Sequence, residues 1–169
     1  RLATLKLPLL THTGTEESFT RADNALADPA RLRLALENGV TVIAAHCASN
    51  GKSGGERNLA RLLPLFAEFP NLYADISALT LVNRLGHLQR ILRHSELHGR
   101  LLYGTDMPLP ATGLTSPWFQ LRSLGIAEAR RIAAIANPWD RDVALNLALG
   151  MPEQVLCRAA SILRLTDKP

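Results

Sequence analysis

The chain has 169 residues, 47% hydrophobic and 20% charged, with a net charge of +4. That length suits one domain with a core rather than two, and the apolar content is too high for a disordered chain. No apolar run approaches the roughly 20 residues of a membrane span. Arginine supplies most of the basic residues, but they are dispersed along helix faces with no aromatic interleaving, so no nucleic-acid surface is expected.

Leu5 to Thr11 is an apolar run of the kind expected of a strand buried in a parallel sheet. Asp28-Pro29 predicts a helix start, with an N-cap and proline at the first helical position, and Gly39 predicts its end. Val40 to Ala45 reads as the second strand. The Gly/Ser-rich SNGKSGG that follows reads as a flexible active-site loop. A helix is expected from Glu56 to Phe69, with Leu59, Leu62, Leu63 and Phe66 on one face and Pro64 kinking it or delaying its start. The third strand is Leu72 to Ser77, a long helix spans Leu79 to Ser95, and the fourth strand is Leu101 to Thr105. After a Pro/Gly loop, helices are expected near 126–136, 139–149 and 152–165. Strands alternating with helices in this way predict parallel pairing through right-handed crossovers, in one domain over 1–169. The chain starts close to a strand and without Met, which leads us to expect further residues upstream. Cys47 and Cys157 lie far apart with no metal-ligand spacing, so neither a disulfide nor a structural zinc is expected, and a reducing cytoplasm is the default compartment.

Ligand sites in parallel α/β proteins gather where strands end and βα loops begin. His12, His46 and Asp106 each fall at or near such an end. Taken singly, each has a plain structural reading: a hydrogen-bonded loop histidine, or an aspartate capping a turn. Together they supply two imidazoles and a carboxylate, the donors that a hard or borderline divalent ion takes.

HTG (His12–Gly14), the pair Ala45-His46, the YADIS strand (Tyr73–Ser77) and GTDMP (Gly104–Pro108) together resemble the fifth to eighth strands of the amidohydrolase superfamily. The likeness is nearest to its amidohydrolase-related branch of hydrolases and non-oxidative decarboxylases. PEQVLCRAASILRL resembles that branch's last helix, with Ala159-Ala160 where Asn-Ala is frequent. The resemblance implies an α/β fold, the C-terminal half of a (β/α)₈ TIM barrel with outer helices and extra C-terminal helices. It also implies a divalent metal, zinc first and manganese next. His12 would be a ligand, His46 a second ligand or a polariser of the substrate, and Asp106 a ligand and general base on the bound water. The family's H-x-H of the first strand has no counterpart in this chain.

A small-molecule substrate and a hydrolase activity follow from the resemblance. A decarboxylase on the same fold is the alternative, and a non-catalytic half-barrel interaction protein is the reading from another class. Four strands leave two open sheet edges, so the partner expected is the missing N-terminal half or a second copy of the chain. Among the other candidates, Asp75 and Ser77 are expected to be structural or supporting, and Cys47 a small buried hydrophobe. Glu16 and Glu17 read as solvated loop charges that could line an entrance, and His87, His94 and His98 as surface residues.

Overall fold

Four parallel strands lie side by side in sequence order in the computed structural model, which describes residues 1–15 and 23–163. The chain opens with a single helical turn, α1 (Leu2–Leu5), followed by β1 (Leu9–His12). A capped turn leads into α2 (Arg33–Glu37) and then β2 (Val42–Ala45). A small antiparallel hairpin, β3 (Lys52–Ser53) with β4 (Glu56–Arg57), precedes α3 (Asn58–Glu68). The main sheet is completed by β5 (Leu72–Asp75) and, after α4 (His87–Leu92), by β6 (Leu101–Leu102). Three helices end the described chain: α5 (Leu121–Ala133), α6 (Pro138–Ala148) and α7 (Gln154–Ile162).

The order β1-β2-β5-β6, each strand beside the one before it, is how a barrel wall is laid down; a doubly wound sheet would reverse direction at a switch point. This is an α/β fold with a parallel sheet, consistent with part of a (β/α)₈ barrel. Pairing runs Leu9↔Val42 to His12↔Ala45, then Val42↔Leu72, then Ala74↔Leu101. Side chains alternate between faces along each strand. Leu9, Val42, Ala44, Leu72, Ala74 and Leu101 pack with Leu62, Leu65 and Phe66 of α3 in the main core. The opposite face carries Leu10, Ile43 and Tyr73 in one cross-strand row, and His12, Ala45 and Asp75 nearer the strand ends. On that face Leu10 is 63% exposed.

Asp28 caps its turn as expected, accepting from the Ala30 N–H at 3.0 Å, with Pro29 behind it. Arg61 grips the same carboxylate with two bonds of 2.9 Å and holds it below the usual carboxylate range. Other boundaries differ from the sequence reading. The first strand begins at Leu9 rather than Leu5, because residues 2–5 form a helical turn closed by left-handed Lys6 and Pro8 has no N–H for a ladder. SNGKSGG is not a plain loop, since Lys52-Ser53 pairs with Glu56-Arg57. The helix through Pro64 neither breaks nor starts late. The proline forgoes one helical bond, while buried Leu62, Leu65 and Phe66 fix the helix to the core.

The long helix expected over 79–95 is a short turn, Val82–Arg84, and then α4. Gly86 between them takes a φ of 77°, which glycine adopts at little cost and which ends any continuous helix. The last helix docks on the sheet: Tyr103 N–H donates to the Val155 carbonyl at 3.2 Å, and Arg158 donates to the Leu101 carbonyl at 2.6 Å.

Candidate active site

At the carboxyl ends of the strands His46 lies beside His12 on one side and Asp106 on the other. The His12 and His46 rings lie edge to face with centroids 5.1 Å apart, and His46 Nε2 is 3.9 Å from Asp106 Oδ2. His46 is buried, its side chain 11% exposed, whereas that of Asp106 is 39% exposed. His46 and Asp106 line a cavity of about 210 Å³ together with Arg84, Leu81, Leu109 and Leu114.

His46 is oriented from β5. Its Nδ1 lies 2.8 Å from Ser77 Oγ and 3.1 Å from the Ser77 carbonyl, and the Ser77 hydroxyl bonds in turn to Asp75 Oδ1. An ionised carboxylate only accepts, so the single hydroxyl proton goes to Asp75 and Ser77 Oγ receives from Nδ1–H. This network assigns the tautomer. Nδ1 carries the proton, and the Nε2 lone pair faces the cavity and Asp106. Asp75 Oδ1 also accepts the backbone N–H groups of His46 and Ser77, each at 3.0 Å. The two residues expected to be structural or supporting are therefore what aims His46.

The backbone here is strained. His46, Cys47 and Ala48 take φ of 59°, 48° and 48°, a left-handed turn directly after β2. Such a conformation costs roughly 1–2 kcal/mol per non-glycine residue and persists only where surroundings over-determine it. Those surroundings are identifiable. The His46 N–H goes to Asp75 Oδ1, the Cys47 thiol donates to the Asp75 carbonyl at 3.0 Å, and the Ala48 N–H goes to Thr13 Oγ1 at 3.2 Å. Thr13 Oγ1 itself donates to the Ala45 carbonyl at 2.7 Å. Asp106 is also left-handed, with φ 53°.

Cys47 is the small buried residue expected, and burial pushes its thiol pKa well up, so it is no nucleophile. His12 Nε2 lies 3.1 Å from the Gly14 carbonyl. Gly14 has a φ of 93°, and a Cβ there would sit 2.8 Å from the Asn50 carbonyl oxygen, which explains the glycine of HTG. Glu16 and Glu17 lie outside the described residues. His87, His94 and His98 are half-buried rather than on the open surface: His98 Nε2 lies 2.8 Å from the Leu92 carbonyl, and burial lowers the His87 pKa.

Thr13, inside the HTG motif, and Arg84 also contribute to the site, and nothing in the sequence marks either for that role. Period-two spacing in YADIS was the one available signal for Asp75 and Ser77.

As to a metal, the donor chemistry fits: two imidazoles and a carboxylate, with an Nε2 lone pair and a carboxylate oxygen facing each other. Among the described residues, however, no group of three His, Cys, Asp or Glu side chains closes into a cage for an ion. The residues fit one side of a metal site.

A family model described as Amidohydrolase matches residues 1–135. The chain belongs to the amidohydrolase family. The match contains His12, His46 and Asp106 and leaves α6 and α7 beyond it. No curated protein matches this amidohydrolase chain at a significant level in sequence. Its fold is similar to the crystal structure of a candidate 2-pyrone-4,6-dicarboxylic acid hydrolase from Pseudomonas putida, with TM-score 0.59 and 16% identity. The alignment covers 99% of this chain and 55% of that one, so the amidohydrolase chain spans about half the length of that structure.

Proposed function

We propose that this amidohydrolase chain is the second half of a (β/α)₈ barrel, strands five to eight, and that with the first half it forms one metal-dependent hydrolase domain. The half-length alignment and the exposed Leu10 on the inner sheet face support this reading. So does the order of the donors, His, His and then Asp following the first, second and fourth strands of the sheet. An upstream apolar strand ending in H-x-H would supply the remaining ligands; an upstream sequence without one would contradict the assignment of halves.

His12, His46 and Asp106 would hold a divalent ion, zinc first and manganese next. When bound, such an ion supplies a Lewis acid and lowers the pKa of water to roughly 7. The chain's own residues do the rest. Ser77 and Asp75 keep the His46 proton on Nδ1, so Nε2 presents a lone pair to the cavity. Asp106, open to solvent at the same mouth, takes a proton from water as it adds to an ester or amide carbon and returns it to the leaving group. The observation that carries this reading is His46 Nε2, with its opposite nitrogen tied down, directed at Asp106 3.9 Å away.

2-Pyrone-4,6-dicarboxylic acid, named for the structural neighbour, is a cyclic ester bearing carboxylates, which makes such lactones the first substrates to try. Arg84 lines the same cavity as His46 and Asp106 and favours a second reading, a decarboxylase holding a carboxylated substrate.

Metal analysis of the purified protein with turnover on a panel of lactones, amides and carboxylated aromatics tests both. We expect near-stoichiometric zinc or manganese. Asp106→Asn should lose about 10²–10⁴-fold in hydrolysis, the range of a general base, with its fold intact. Release of CO₂ in place of hydrolysis would select the decarboxylase. No metal retained under excess and no turnover would leave a non-catalytic half-barrel.

A further inference from the structure

The largest cavity among those described is not the one at His46. It measures about 460 Å³, within the range of small-molecule pockets. It lies between the β3–β4 hairpin, the start of α3 and α4. Leu59, Ala60 and Leu63 give it an apolar floor. Its polar lining is basic: Lys52, Arg57 and Arg90, with His87 and His94, and no carboxylate. Of the acids nearest in sequence, Glu56 pairs with Arg61 at 3.7 Å, and Glu96 pairs at 3.2 Å with His94 of the lining itself. Among the described residues, Lys52, Arg57 and Arg90 pair with no carboxylate.

We propose that this cavity is a binding site for a small organic anion, a carboxylate or phosphate head on a compact apolar body, separate from the reaction cavity at His46 and Asp106. Three cations around one concavity repel each other unless an anion enters, and the local field is already visible in His87. Its imidazole is held below the usual histidine range first by burial and then by Arg90, Arg84 and Arg57. The ring has a backbone hydrogen bond to Ser49 that partly offsets this, while its Nδ1 is buried with no hydrogen-bond partner. Arg57, Leu59 and Ala60 of the lining stand at the N-terminus of α3, which no side chain caps and whose Asn58 N–H donates to the Gly51 carbonyl at 3.2 Å. The apolar floor separates such a ligand from a bare inorganic ion.

The site also touches the reaction cavity. Ser49 lines the basic pocket, and Arg84, which lines the reaction cavity, donates to Ser49 Oγ at 3.3 Å. An occupant would therefore bear on Arg84 through one hydroxyl. The inference needs neither the metal nor the hydrolase reading.

Calorimetric or NMR titration of the purified protein tests it with three probes: benzoate, phenyl phosphate and inorganic phosphate. Saturable binding of benzoate or phenyl phosphate is expected, tighter than inorganic phosphate; whichever of the two binds better identifies the head group. Lys52→Ala and Arg90→Ala should each weaken it about tenfold, the loss of one charge-assisted hydrogen bond. Arg122→Ala, at an exposed position outside the pocket, should leave it unchanged. Ala60→Leu should weaken the aromatic anions and spare inorganic phosphate. Absence of binding by both aromatic anions, or equal losses in the Arg122 control and the pocket variants, would overturn the proposal.

Discussion

His46 and Asp106 face each other across less than 4 Å, yet the chain treats them differently. His46 is buried and fixed by Ser77, by Asp75 and by a left-handed turn that two neighbouring strands hold in place. Asp106 is exposed and sits in a loop beyond β6, with the His46 ring as the partner it faces. The difference teaches which part of the site this chain builds by itself. The imidazole is preorganised by local hydrogen bonds, whereas the carboxylate stands open to solvent.

Substitutions can break that contrast, and their effects on stability should descend in order. Asp75→Ala strands the His46 and Ser77 N–H groups and the Ser77 hydroxyl, and should cost about 3–5 kcal/mol in denaturant unfolding. A cost below 1 kcal/mol would mean the relay does not hold the turn. Gly14→Ala forces a side chain against the Asn50 carbonyl at positive φ and should cost about 2 kcal/mol, measured the same way.

A pH series on Asp142 gives a control away from the rim. Burial raises its pKa although Tyr103 donates to it at 2.7 Å. A raised acid stabilises the fold below its unfolded value and loses that contribution as pH rises through its folded value. Asp142→Asn should therefore gain on the parent as pH rises from the acid side toward neutrality, by thermal melts across that range. A pH-independent difference would contradict this. Asp106→Asn should be the smallest, within about 0.5 kcal/mol of the parent, since its carboxylate is open to water. A large loss would show that Asp106 is as built-in as His46.

Much of this was legible in the sequence, for stated reasons. Val42–Ala45 and Leu72–Asp75 are apolar enough to read as strands, and the residues closing such runs marked the rim. Boundaries were not legible where one residue overrides a pattern. Val82, Leu85, Leu88 and Ile91 are spaced for one helix, but Gly86 splits the segment and Leu85 ends 45% exposed. The relay could not be read because His46 and Ser77 are 31 residues apart, and only the β2–β5 register brings them together. The basic pocket joins a hairpin to a helix 30 residues on. Gly51-Lys52-Ser53 resembles the end of a phosphate loop but lacks its earlier glycine, and nothing in the sequence ties it to Arg90.

The most direct test is the protonation of His46, read by long-range ¹H–¹⁵N NMR of the histidine rings in the purified chain. The account predicts the Nδ1–H tautomer with Nε2 unprotonated, and a Nε2 shift when zinc is added. An Nε2–H tautomer, its proton lying between His46 and Asp106, would contradict it.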